Sequence, residues 1–381
     1  MEKQKICIIG GSLTGLATAI ALSKLNCTID LITGDTSQNL KSNKTIAISE
    51  NNFDFLNKLN ISKTLEKEIW TCSVMKLYTE IKNEKFLKVF EFNKENKKEK
   101  ILYMMENSKI MKLMMKKIEQ IKSISVKNHK KVSSISNSGL LKSVKIDNKI
   151  SKYNLVIICT GYNSSLIKNL FNDKIIINSY QESAITTILK HSPLRNNIAR
   201  QIFLKNEILA LLPISNTKTS IVWSIKNDIK KSDLLLKKKI KIYAEKYLKN
   251  IKFVANIEHK DLNFLIRNKY HIDRTLLFGD ALHVMHPFVG QGFNMTLRDL
   301  SCLEKILTQK INLGLDIGSF DILSEFSSEV KPRNFAFSVS VDILKNSLSY
   351  KKLRNNLLTI LNKNNFAKDI FFDVANRGFR F

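Results

Sequence analysis

The segment Arg274-Thr-Leu-Leu-Phe-Gly-Asp-Ala-Leu-His-Val-Met-His-Pro-Phe-Val-Gly-Gln-Gly-Phe-Asn-Met-Thr-Leu-Arg-Asp299 places the tightest limits on what this chain can become. It reads as a short apolar strand, an acidic turn at Gly279-Asp280, a loop bracketed by Gly290 and Gly292 around Gln291, and the start of a helix. Glycine lacks Cβ, so backbone at Gly290 and Gly292 can turn sharply and come close to a flat ring. Phe293 and Asn294 then offer their amides at the positive end of the helix, where an electron-rich or anionic heterocycle is favoured.

A second glycine site lies at the amino terminus. Lys5-Ile-Cys-Ile-Ile9 is an apolar strand, Gly10-Gly11-Ser12-Leu13-Thr14-Gly15 a turn, and the residues that follow form a helix of small and branched apolar side chains. This is the strand, turn and helix context that the dinucleotide fingerprint needs. Gly10 makes the tight turn and Gly15 lets helix and strand pack closely, but the middle glycine is Ser12. The next strand, Thr28 to Thr33, ends without the usual ribose-binding acid, leaving Thr33 and the nearby Asp35 as candidates. A nicotinamide dehydrogenase would finish its nucleotide domain in one contiguous block. Here a second ligand-shaped site follows late in the chain, so the simplest ligand is one long molecule, with adenosine diphosphate at 10–15 and a flavin at 279–294.

These motifs resemble the FAD-dependent aromatic hydroxylases, and within them the ubiquinone-biosynthesis hydroxylases. The sharpest likeness is His286-Pro-Phe-Val-Gly-Gln-Gly-Phe-Asn-Met-Thr-Leu-Arg-Asp299, with Thr296 where a glycine is usual. Lys44-Thr-Ile-Ala-Ile-Ser49, Ala210-Leu-Leu-Pro-Ile-Ser215, Ser220-Ile-Val-Trp223 and Asn154 to Ser164 agree with it. The resemblance implies an α/β fold with a Rossmann-like FAD-binding domain, a sheet-based substrate domain as in para-hydroxybenzoate hydroxylase, and a helical C-terminal tail. It implies that Asp280 bonds the FAD ribitol and that the amides of Phe293 and Asn294 face the flavin pyrimidine edge. His286, Pro287, Phe288 and Val289 become the candidates for the flavin face, with Pro287, Phe288 and Val289 as an apolar wall. The reaction implied is ring hydroxylation of a polyprenylated phenol or benzoquinol precursor of ubiquinone by molecular oxygen, through a flavin C4a-hydroperoxide, with NAD(P)H or another donor reducing the flavin. Such chemistry rests on the cofactor, which suits a chain with few acid-base residues in its motifs.

Departures cluster where the family binds its cofactor. The family's Ala-Asp-Gly is Cys159-Thr160-Gly161, its arginine before the Ala-Ile run is Lys44, and its Gln-Arg at the next helix is Ser108-Lys109. Lysine keeps the charge but loses the planar fork that grips a phosphate. Two alternatives stay open: a catalytically impaired flavoprotein-fold subunit supporting a ubiquinone-biosynthesis complex, and an FAD hydroxylase of another small aromatic compound, which needs a positive group in its pocket.

The expected division is 1–73, 105–173 and 265–310 for the FAD-binding domain, 74–104 and 174–264 for the substrate domain, and 311–381 for the helical C-terminal region. A length of 381 residues with 44% hydrophobic content and only 12 Gly and 4 Pro supports large cores in about two domains. The net charge of +28 comes from lysines spread evenly along the chain, which points to no specific nucleic-acid module and allows peripheral attraction to an anionic membrane. Five scattered cysteines without a Cys-x-x-Cys pair suit a reducing compartment, and Met1 to Lys5 leads straight into a strand, so a cytoplasmic location is expected. His283 and His286 lack a third ligand at metal spacing, so no metal is expected. Trp223 and Phe203 read as sheet core before they read as pocket lining.

Overall fold

The computed structural model describes residues 3–61, 68–81, 85–93, 100–171, 175–205, 207–227, 232–287 and 290–349. Gln4–Ile9 is apolar at four consecutive positions and buried at all four, the signature of a strand covered on both faces. It sits inside a six-stranded sheet whose order is His271–Ile272, Thr275–Leu277, Leu155–Ile158, Gln4–Ile9, Cys27–Ile32, Ile124–Lys127. Pairings among the last five are parallel, and only His271–Ile272 runs against its neighbour. The chain builds outward from Gln4–Ile9 on one side, then crosses to the other at Leu155–Ile158. That reversal opens a crevice at the carboxyl ends of the two strands. Helix Leu13–Leu22, apolar all round, is buried at every residue between this sheet and its neighbours.

Asp30 lies mid-strand in Cys27–Ile32, where burial penalises its charge. Bonds from Lys127 at 2.8 Å and Tyr153 Oη at 2.7 Å, with Lys5 at 3.3 Å, outweigh that penalty and hold the carboxyl below its usual range. The acid of the second strand is therefore a structural group, not a ribose ligand.

A nine-stranded sheet carries most of the remaining strands, with the long strand Ile175–Lys190 paired to Lys218–Lys226 and Glu258–Arg267. Its far edge is a hairpin of Val74–Glu80 and Phe86–Asn93. The sequence suggests that this hairpin region continues to Met104, but Leu102–Glu106 leaves it for a three-stranded sheet with Thr45–Ser49 and Trp70–Cys72. Adjacent Met104 and Met105 are both buried, so this strand is covered on two faces, and it is paired on both sides as the middle strand of that sheet. The division placed after residue 104 accordingly cuts a strand. Helix Gly292–Asn312 packs on Leu13–Leu22, and Phe320–Ser349 packs on Gly292–Asn312. Of the expected C-terminal region, 350–381 lies outside the described residues.

Gly15 fixes how closely the first helix seats on its turn, because a Cβ there would stand 1.9 Å from the Gly10 carbonyl oxygen. Gly15→Ala should therefore cost about 2 kcal/mol or more of stability, read as a lower denaturation midpoint in urea at unchanged slope.

Candidate functional site

The two glycine turns, distant in sequence, touch. Gly10 has φ of +134°, and a Cβ on it would lie 2.7 Å from the Cys159 carbonyl oxygen, so only glycine lets this turn pass the end of Leu155–Ile158. Gly279 has φ of +63°, and its missing Cβ would lie 2.6 Å from Thr14 Cγ2. The acidic turn thus rests directly on the amino-terminal turn. One cavity of about 430 Å³ runs from Ser12, Leu13 and Thr14 past Lys44 and Asp280 to Pro287, Gly290, Gly292 and Phe293.

Around the late bend, a Cβ on Gly292 would meet nothing within 4 Å, while Gly290, at φ +65°, lies against Ala47. Gly292 is the first residue of its helix, so its N–H and those of Phe293 and Asn294 have no intrahelical acceptor by position. Thr45 Oγ1, on the cavity wall, and Gln291 Oε1 are buried without hydrogen-bond partners. Free space before glycine, donor amides and orphaned polar atoms together fit a flat heterocycle with hydrogen-bonding edges.

Asn294 serves that arrangement through its side chain, which is wholly buried. Its Oδ1 accepts from Ser49 N at 2.9 Å and Asn52 Nδ2 at 2.9 Å, and its Nδ2 donates to the carbonyls of Ala47 at 2.8 Å and Gly290 at 3.1 Å. The helix start, the Gly-Gln-Gly bend and the strand Thr45–Ser49 are tied at one residue. Asn294→Ala leaves several of these groups unpaired in the interior and should cost about 2–4 kcal/mol, measurable by chemical denaturation.

The other sequence candidates divide. Lys44 lines the cavity; burial and neighbouring Lys260 pull its ammonium below the usual value, against Glu258 and Asp280. Lys109 does not line it, because its ammonium is taken by Glu68 at 2.8 Å and Glu106 at 2.9 Å, and Asn107 and Met111, a turn apart, face the cavity instead. Thr33 is buried with Oγ1 bonded to Asn128 Oδ1 at 2.9 Å, and Asp35 accepts from Ser37 N at 2.8 Å on the surface. Neither lines the cavity, although a Cβ on Gly11 would touch the Thr33 side chain. Gly161 has open space before it, beside Thr160 with a buried, unpartnered hydroxyl. Phe288 and Val289 lie outside the described residues. Trp223 and Phe203 are core residues.

His283 and His286 turn to different carboxylates. His283 Nε2 bonds Asp299 at 3.1 Å, which also accepts from Asn334 at 2.8 Å. His286, on the cavity wall, bonds Glu182 Oε2 at 3.0 Å, while Lys345 donates to Glu182 Oε1 at 2.7 Å. Among the described residues no group of three His, Cys, Asp or Glu could hold a metal ion. Burial lowers the His286 imidazole below its ordinary 6.5, and Glu182 only partly opposes this. For Glu182, burial pushes the carboxyl up, but His286 and Lys345 outweigh it and leave it below the usual range. Both folded values lie below the unfolded ones, so the network's stability is present above pH about 6.5 and is lost as pH falls through the acid range. Thermal midpoints across that range should drop, and E182Q should flatten the carboxylate part of the drop.

Gln201, Lys260 and Asn263 also line the cavity, whereas Arg200, paired with the core residue Leu211, turns its guanidinium to Tyr247 on the other face of the sheet. No motif marks them, since they alternate along ordinary strands whose cavity-facing side is set only by how the sheet meets the nucleotide crevice.

Residues 3–333 match the family model described as FAD binding domain. The Danio rerio protein named ubiquinone biosynthesis monooxygenase COQ6, mitochondrial, is 25% identical over 67% of this chain and 62% of its own length. Its Caenorhabditis elegans namesake is 24% identical over 88% of this chain and 86% of that protein. Ubiquinone hydroxylase UbiL of Rhodospirillum rubrum is 29% identical over 43% of this chain and 40% of its own. This chain thus spans under two thirds of the zebrafish protein. Among solved structures, p-nitrophenol 4-monooxygenase PnpA from Pseudomonas putida superposes with a TM-score of 0.81 at 13% identity over 100% of both chains. PqsL from Pseudomonas aeruginosa, described as a probable FAD-dependent monooxygenase, gives 0.77 at 14% over 92% of this chain and 98% of that one. The fold is that of these flavin monooxygenases.

Proposed function

The chain belongs to the FAD binding domain family of FAD-dependent aromatic hydroxylases, and from that premise we propose that it hydroxylates the ring of a polyprenylated phenol or benzoquinol on the way to ubiquinone. The observation that carries this reading is the single cavity joining Ser12–Thr14 to Gly290–Phe293 and opening on the large sheet. FAD bound there supplies the oxygen-activating chemistry, and NAD(P)H or another donor supplies its electrons. Ser12 and Thr14 are the proposed contacts for the pyrophosphate end, Asp280 for the ribitol, and the amides of Gly292, Phe293 and Asn294 for the flavin edge that gains negative charge. Thr33, Asp35, Gly11 and Gly161 are proposed to border the adenosine end. Pro287 and the apolar side chains Met104, Ile208, Leu212, Val222 and Met285 wall the substrate space, hold an aromatic ring and keep water out.

We place the protein in the cytoplasm at a membrane surface, where its prenylated substrate resides and where it can join other enzymes of quinone assembly. Five free thiols suit a reducing compartment, and +28 suits an anionic bilayer. Among the described residues no helix is long and apolar enough to cross a membrane.

Titrating the purified chain with FAD should build bound-flavin absorbance, and Gly292→Val, which fills the open space before the bend, should reduce the affinity at least about tenfold. A deletion strain should accumulate prenylated rings one hydroxyl short by mass spectrometry. A chain that takes up no flavin, or a strain with an unchanged quinone profile, contradicts the reading.

A further inference from the structure

A second cavity, of about 610 Å³, lies on the other side of Asn294 from the flavin loop, walled by helices Glu50–Lys58, Gly292–Asn312 and Phe320–Ser349. Arg298 stands in its wall with its guanidinium stacked 4.8 Å from the Phe337 ring centre. Both terminal nitrogens, Nη1 and Nη2, are buried and without a hydrogen-bond partner. A buried guanidinium with both fork nitrogens unmatched is costly, because the charge has left water and the ring face replaces only part of its solvation. Burial accordingly brings its pKa down to about 10, with Asp299 opposing the fall.

The nearby carboxylates do not supply the missing partner. Asp299 is bonded to His283 at 3.1 Å and to Asn334 at 2.8 Å, and Asp54 is exposed at the rim. Lys58 and Arg333 add positive charge to the lining, although Arg333 also meets Glu329 at 3.2 Å. Asn334 and Asn52 complete a polar wall, and Asn52 reaches through to Asn294 at 2.9 Å. A planar fork over an aromatic ring, with surrounding cations and amides, is the geometry that receives a carboxylate or phosphate in two parallel bonds.

We propose that this interhelical cavity is a binding site for a small oxyanion, a carboxylate or a phosphate, gripped by Arg298. The site is independent of the flavin reading, since none of these groups lines the flavin cavity.

Thermal unfolding of the full chain, with FAD present throughout, tests it against sodium phosphate and sodium acetate, with sodium chloride at matched ionic strength as control. The midpoint should rise saturably with at least one oxyanion and not with chloride. A response to phosphate alone assigns a phosphoryl ligand, and a response to acetate assigns a carboxylate. In R298M, whose side chain still covers Phe337, the midpoint without added anion should be equal or higher, and calorimetric affinity for the anion should fall roughly ten- to a hundredfold. R298K, which keeps the charge but loses the fork, should also weaken binding and serves if R298M does not fold. An anion effect at the amino-terminal turn would appear in both proteins and cancels in the comparison. Midpoints unmoved by either oxyanion, or moved equally in wild type and variants, overturn the proposal.

Discussion

The contact between Gly279 and Thr14 is the constraint on which the site depends. A methyl group on that glycine would sit 2.6 Å from the threonine side chain, so the late acidic turn can close on the amino-terminal turn only because the residue is glycine. Gly10 meets the same demand against Cys159. Both contacts lie at the carboxyl ends of Gln4–Ile9 and Leu155–Ile158, where the parallel sheet reverses its winding and open α/β sheets hold their ligands. Closure there turns two weak glycine motifs into the two ends of one cavity.

The second half of the site is held by electrostatics and hydrogen bonds instead of shape. Asn294 fastens the helix start to the strand Thr45–Ser49, so that strand and bend form opposite walls at fixed spacing. Behind the loop, His286 is anchored to Glu182, which Lys345 holds from the C-terminal helix. The helix long after the motif therefore helps to fix the motif's own histidine. A network of this kind, buried and fully partnered at its carboxylate, favours one arrangement of the loop over its alternatives.

Much of this was legible in the sequence because glycine, proline and apolar runs act locally. The buried first strand, the turn at Gly10 to Gly15, the helix beginning at Gly292 and the α/β class all follow from residues close together in the chain. The strand Leu102–Glu106 crosses the boundary that the sequence suggests at Met104, because an apolar strand does not announce which sheet will cover it. Motif position points to Lys109 as a cofactor cation, yet Glu68 and Glu106 claim it, and acidic partners so placed are visible only in three dimensions. Asp30 shows the same limit in reverse, an acid in a nucleotide-sheet strand spent on Lys127 and Tyr153. Gln201 and Lys260 carry no such mark, because strand alternation gives two faces and no rule for choosing between them.

We propose that one molecule of FAD spans the crevice from the amino-terminal turn to the Gly-Gln-Gly bend. A crystal structure of the chain grown with FAD tests it most directly. Continuous density is expected from Ser12 and Thr14 past Asp280, ending with the ring system against the amides of Gly292 and Phe293. Density confined to one of the two turns, or a ring system lodged elsewhere, would contradict it.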